Sequence, residues 1–149
     1  MDNDEVISTL NDLIETCKDG EDGFLTCAQD VGDTALKSFF SNRAQTCAAS
    51  ALELQDLVRA WGGDPERSGS LGGALHRRWV DVKSAITGSD VKAVLKECAR
   101  GEEVAVSRYR NALEKSLPPE VRAVVERQYQ GVLKNQDQVR SLGDQYRSA

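Results

Sequence analysis

The residues of this chain best suited to chemistry are four cysteines, one histidine and a few charges that fall on apolar helix faces. The cysteines are Cys17, Cys27, Cys47 and Cys98, and no two of them form a C-x-x-C pair. Neither a zinc ribbon nor a thioredoxin-type dithiol motif is therefore present. His76 is the only histidine, so mixed Cys/His zinc sites are also poorly supplied. Counting outward from the turn at Gly32 puts Cys17 and Cys47 at one height on adjacent helices, which gives this pair a route to a disulfide. In a cytosolic protein such a bond would be regulatory rather than structural. The plainer reading is that the thiols are buried and pack as small apolar residues.

The same count brings Glu21 and Arg43 to about one height. If the second and third helices run parallel, Glu102 joins them. Arg43 and Glu102 each lie on the apolar seam of their own helix, where a charge needs a partner. A buried ion pair is the expected solution, with Glu21 part of the same polar layer. The alternative is that Arg43 runs its stem along the core and carries its head out to water. No nucleophile stands beside a base, and Gly69-Ser70-Leu71-Gly72-Gly73 lacks the lysine of a phosphate-binding loop. No catalytic residue, cofactor site or metal ligand set is assigned.

Those residues are placed by four long segments with a helical hydrophobic period. The first seam is Val6, Leu10, Leu13, Cys17, Gly20, Phe24, Cys27 and Val31. The second is Leu36, Phe40, Arg43, Cys47, Ala51, Leu54, Val58 and Trp61. The third is Val91, Leu95, Cys98, Glu102, Ala105, Tyr109 and Ala112, and the fourth is Val121, Val125, Gln128, Val132, Asn135, Val139, Leu142 and Tyr146. Steps of three and four mark helices packed at a shallow angle. Gly20 and Gly23 interrupt the first segment and mark a close approach or a bend. Asp33 is a candidate N-cap, Gly62-Gly63-Asp64-Pro65 a firm stop, and Pro119 a first-turn proline.

This pattern predicts an all-α four-helix bundle as a single domain over 1–149, with helices at about 4–31, 33–61, 90–115 and 119–147. The connection from Gly62 to about Ser89 begins as a Gly- and Ser-rich loop. It continues as an extra short helix at about 71–87, where Trp79 is the expected anchor on the bundle and His76 a packing residue. Short turns make the first and second helices antiparallel, and likewise the third and fourth. The long connection can return the chain to the far end, making the middle two parallel, the one-crossover order of ferritin-like bundles. An up-down bundle whose short helix caps one end is the alternative.

A net charge of −5 and a pI near 5.0, with no basic run beyond Arg77-Arg78, disfavour nucleic acid. No apolar run approaches the roughly 20 residues of a membrane span. The start Met1-Asp2-Asn3-Asp4-Glu5 is not that of a secretory signal, so a cytoplasmic protein is expected.

Several blocks carry a family likeness. They are Leu10 to Thr16, Lys18 to Phe24, Gly62-Gly63-Asp64-Pro65, Gly69-Ser70 with Gly73 to Trp79, Glu97 to Glu103, and Leu117 to Arg122. With these the chain resembles the ferritin-like bacterial four-helix-bundle proteins of the PA2169 type, a family described as a domain of unknown function (DUF2383). The resemblance implies a ferritin-like bundle of bacterial origin and supplies no activity. Ferritin-like di-iron sites take a Glu from each of two helices and Glu-x-x-His from each of the others. Here Glu21 and Glu102 could stand for the lone carboxylates, but the second helix offers Arg43-Ala44-Gln45-Thr46 and the fourth Glu126-Arg127-Gln128-Tyr129. The histidines are missing and a cation faces the core. The expected function is a non-catalytic bundle acting by self-association, as a homo-oligomer, or by binding another protein. The alternatives are a ferritin-like metal-binding or oxidoreductase relative with a degenerate site, and a thiol-based redox sensor.

Overall fold

In the computed structural model the chain is described over residues 1–69 and 91–148. The expected crossover helix at about 71–87, with His76 and Trp79, lies outside the described residues. Four α-helices are present there: α1 (Asn3–Asp30), α2 (Thr34–Ala60), α3 (Val91–Leu113) and α4 (Pro119–Ser148). They form an all-α four-helix bundle.

Each helix end has a visible chemical cause. Asp2 caps α1 by accepting from the Glu5 amide at 2.8 Å, and Asp4 and Glu5 place negative charge on the positive end of the helix. At the other end Lys37 Nζ donates to the Ala28 carbonyl at 2.8 Å, so the second helix satisfies the orphan acceptors of the first. Asp33 caps α2 through the Leu36 amide at 3.0 Å. Helix α2 ends in a Schellman motif: the Gly63 amide donates to the Val58 carbonyl at 2.9 Å and the Gly62 amide to the Arg59 carbonyl at 3.0 Å. Gly62 has φ +82°, a left-handed conformation that a Cβ disfavours. Helix α3 stops at Leu113, where Arg122 Nη2 donates to the Leu113 and Lys115 carbonyls at 2.8 Å each. Pro119 opens α4, where a missing amide proton does no harm.

The buried side chains fall into two clusters. One joins Val6, Leu10 and Leu13 of α1 to Leu54 and Val58 of α2, Tyr109 and Ala112 of α3, and Val121 and Val125 of α4. The other joins Phe24 and Cys27 to Leu36 and Phe40, Leu95 and Cys98, and Val139. Helices α1 and α4 run from the first cluster to the second, while α2 and α3 run from the second to the first. Helices α2 and α3 are therefore parallel. The described residues after α2 lie against α1. Asn11 accepts from the Glu66 amide at 2.8 Å and donates to the Asp64 carbonyl at 3.3 Å, while Gln55 donates to the Glu66 carbonyl at 2.9 Å.

The close pairing of α1 and α2 depends on Gly20, where a Cβ would sit 2.9 Å from Cys47 Sγ. The glycine that broke the periodic pattern thus marks close helix approach. At the Schellman turn, Gly62→Ala forces a side chain into the left-handed region and is expected to destabilise the fold by about 1 kcal/mol. Urea unfolding measures this, and an unchanged midpoint would refute the assigned role of Gly62.

Candidate functional site

The two apolar clusters meet at a polar centre. Arg43 on α2 and Glu102 on α3 are 6% and 3% exposed, and Arg43 Nη2 donates to Glu102 Oε1 at 2.9 Å. The guanidinium also lies over the Phe24 ring of α1, 5.1 Å from its centroid, a cation–π contact. Its Nε is buried with no hydrogen-bond partner among the described residues. Burial raises the Glu102 carboxyl above the usual range, and the attraction and hydrogen bond of Arg43 oppose that rise. Glu21 stands outside the pair. It is half-buried and takes Lys18, one turn back on its own helix, at 3.3 Å.

A second polar layer crosses the bundle nearby and touches all four helices. Tyr109 on α3 donates its phenol proton to Gln128 Oε1 on α4 at 2.7 Å. A phenol has one proton to give, so its oxygen accepts the thiol of Cys17 on α1, 3.2 Å away. Gln128 Nε2 in turn donates to Glu53 Oε1 at 2.8 Å and to the Ser50 carbonyl at 3.3 Å, both on α2. Arg127 completes the chain by pairing with the other oxygen of Glu53.

All four cysteines are free thiols. Burial pushes Cys17 up to about 11 and Cys47 up to about 12, with the nearby charge of Arg43 opposing the rise at both. Cys98 is raised well above the ordinary thiol range, first by a hydrogen bond with Cys27 and then by burial. The two sulfurs in hydrogen-bond contact are therefore Cys27 and Cys98, at 0% and 1% exposure, a pair that sequence reasoning passed over. Cys17 and Cys47 both line the same central space without a hydrogen bond between them.

That space is a cavity of about 380 Å³ bounded by Arg43, Glu102, Tyr109 and Gln128 together with Cys17, Cys47 and Cys98. A hollow of about 650 Å³ also lies at one end of the bundle, lined by Met1, Glu5, Thr9 and Lys115. It opens to solvent between surface side chains and contains no buried polar group other than Thr9, so the central cavity is the better candidate. The carboxylates do not assemble a metal centre: Glu21 belongs to Lys18 and Glu102 to Arg43. Among the described residues no three of His, Cys, Asp and Glu are grouped to hold a metal ion. No described helix is long and apolar enough to cross a membrane.

The buried pair makes a pH-dependent prediction. Arg43→Leu strands Glu102 and is expected to destabilise the protein by roughly 3–5 kcal/mol near neutral pH. A carboxyl whose folded pKa lies above its unfolded value destabilises when ionised, and that penalty lifts as pH falls through the folded pKa. Loss of Arg43 raises Glu102 further, so the deficit of the variant against the wild type should shrink as the pH is lowered from neutral. Adding Glu102→Leu should recover most of it. Urea unfolding of the wild type, both single variants and the double, near neutral and at lower pH, checks this, and additive losses with no pH dependence would remove the coupling.

The thiols make another. With Cys17, Cys27 and Cys98 buried, a thiol reagent near neutral pH should label these three in the native chain no faster than the fold opens. Rapid labelling of any of the three in the folded protein would instead favour the redox-sensor reading.

One family model matches the chain. The model of the family described as "Domain of unknown function (DUF2383)" matches residues 5–115, which takes in α1 from Glu5 onward, α2 and all of α3. No curated protein matches the chain.

Proposed function

The chain belongs to the DUF2383 family, and from that footing we propose that it is a non-catalytic bundle acting by self-association or by binding a protein partner. The observation that carries this reading is the state of its reactive groups. Cys17 and Cys47 are raised to about 11 and 12, Cys98 shares its hydrogen bond with Cys27, and Glu102 is held by Arg43. A nucleophile or base needs a pKa near the working pH. The thiols are tuned the other way, toward inertness, and Glu102 is committed to its ion pair with Arg43.

The parallel course of α2 and α3 supports placing the fold in the ferritin-like class. Four unpaired thiols agree with a reducing bacterial cytoplasm as its home. Among the described residues Leu52 on α2 is the most exposed large apolar side chain, at 60%, and offers a contact point for a second copy or another protein. Sedimentation at rising concentration tests the self-association branch. We expect a reversible oligomer that Leu52→Asp weakens with no loss of helicity. A chain that stays monomeric throughout would leave only the protein-partner branch.

A further inference from the structure

Helices packed at protein density leave few voids larger than a water molecule. The centre of this bundle stays open because small residues face it from every side: Gly20 on α1, Cys47 on α2, Ala105 on α3 and Gly131 on α4. The resulting space of about 380 Å³ falls in the size range of small-molecule sites.

Its chemistry narrows the occupant. Among the described lining residues Arg43, Arg108 and Arg127 are matched by Asp19, Glu97 and Glu102, so the wall has no net charge. An entering carboxylate would lose its hydration beside Glu102, against a guanidinium whose charge is already matched. An ammonium would meet Arg43. A thiophilic metal needs thiolates, and these sulfurs keep their protons. The guanidinium, however, carries five N–H donors, and among the described residues its Nε has no acceptor. The site is therefore electrically balanced, has a surplus donor, and is otherwise walled largely by Cys47, Ala105, Val132 and similar side chains.

We propose that the central cavity binds a small neutral molecule with an apolar body and one carbonyl or hydroxyl oxygen, the oxygen directed to the Arg43 end and the body lying against Ala105 and Val132. The site lies within one chain, with exposed Val104, Arg108 and Arg127 at its mouth, and does not depend on the oligomeric state proposed above.

Equilibrium dialysis and fluorescence titration with 2-naphthol as the probe test this, with 2-naphthoate and naphthalene as its charged and fully apolar counterparts. The expected result is saturable binding of one 2-naphthol per chain, with 2-naphthoate weaker by about tenfold or more. Ala105→Leu fills the space and should weaken 2-naphthol by a similar factor while helicity and melting temperature hold. The double variant Arg43→Met with Glu102→Leu removes the polar end and should erase the preference for 2-naphthol over naphthalene. If Ala105→Leu does not fold, backbone amide NMR of the wild type decides, since 2-naphthol must then shift the Cys47, Gly101 and Ala105 signals. Absence of saturable binding up to about 1 mM, binding indifferent to Ala105→Leu, equal binding of the naphthoate, or shifts confined to surface residues would each overturn the proposal.

Discussion

A buried guanidinium cannot be left alone, and the architecture of this bundle is organised around that requirement. Removing an isolated charge from water is too unfavourable for a marginally stable fold to absorb. Arg43 must therefore meet a carboxylate inside the protein, and the carboxylate it meets is Glu102 on another helix. This sets the register of α2 against α3: a slip of one residue on either helix would carry one charge off the seam and strand the other. The Phe24 ring adds α1 to the same fixed point. The pair is better understood as a device for register than as a source of stability, since burial of Glu102 outweighs what Arg43 returns to it.

The second polar layer follows the same logic, with mostly neutral groups ending on the Glu53 carboxylate. Cys17, Tyr109, Gln128 and Glu53 pass hydrogen bonds through all four helices in turn. Each helix contributes one member, so the layer disfavours any arrangement in which the helices exchange places. Between the two layers the helices carry small residues, and the apolar clusters at either end provide the area buried from water. The bundle thus divides its tasks along its axis, with apolar ends that hold it together and a polar middle that specifies how the ends align.

Much of this was legible in the sequence because periodicity and charge on a seam are strong physical signals. The four helices follow from apolar steps of three and four, and their ends follow from Asp33, Gly62 and Pro119, whose capping chemistry is local. The meeting of Arg43 and Glu102 could be anticipated because each interrupts an apolar face. Glu21 was grouped with them by height alone, and height does not say which way a side chain turns. It sits at the edge of its helix with Lys18 one turn away, where water screens it more cheaply than the core could. The seams were also drawn too narrow, for Ile14, Ala44, Val94 and Val106 are buried beside them. Packing against two neighbours rather than one widens the apolar face.

The cysteines show where register counting stops short. Counting from one turn compares only the two helices that the turn joins, and so it paired Cys17 with Cys47. Cys27 and Cys98 lie on α1 and α3, which no short turn connects. Their contact follows only after Arg43 and Glu102 have fixed α2 against α3: Cys98 lies one turn before Glu102, on the side of Phe40, and Phe40 stacks on Phe24 with centroids 6.1 Å apart. Cys27 is one turn beyond Phe24. The ion pair therefore transmits position from the helices that sequence relates directly to those it does not, and the thiol contact and the central cavity are both consequences of the register it sets.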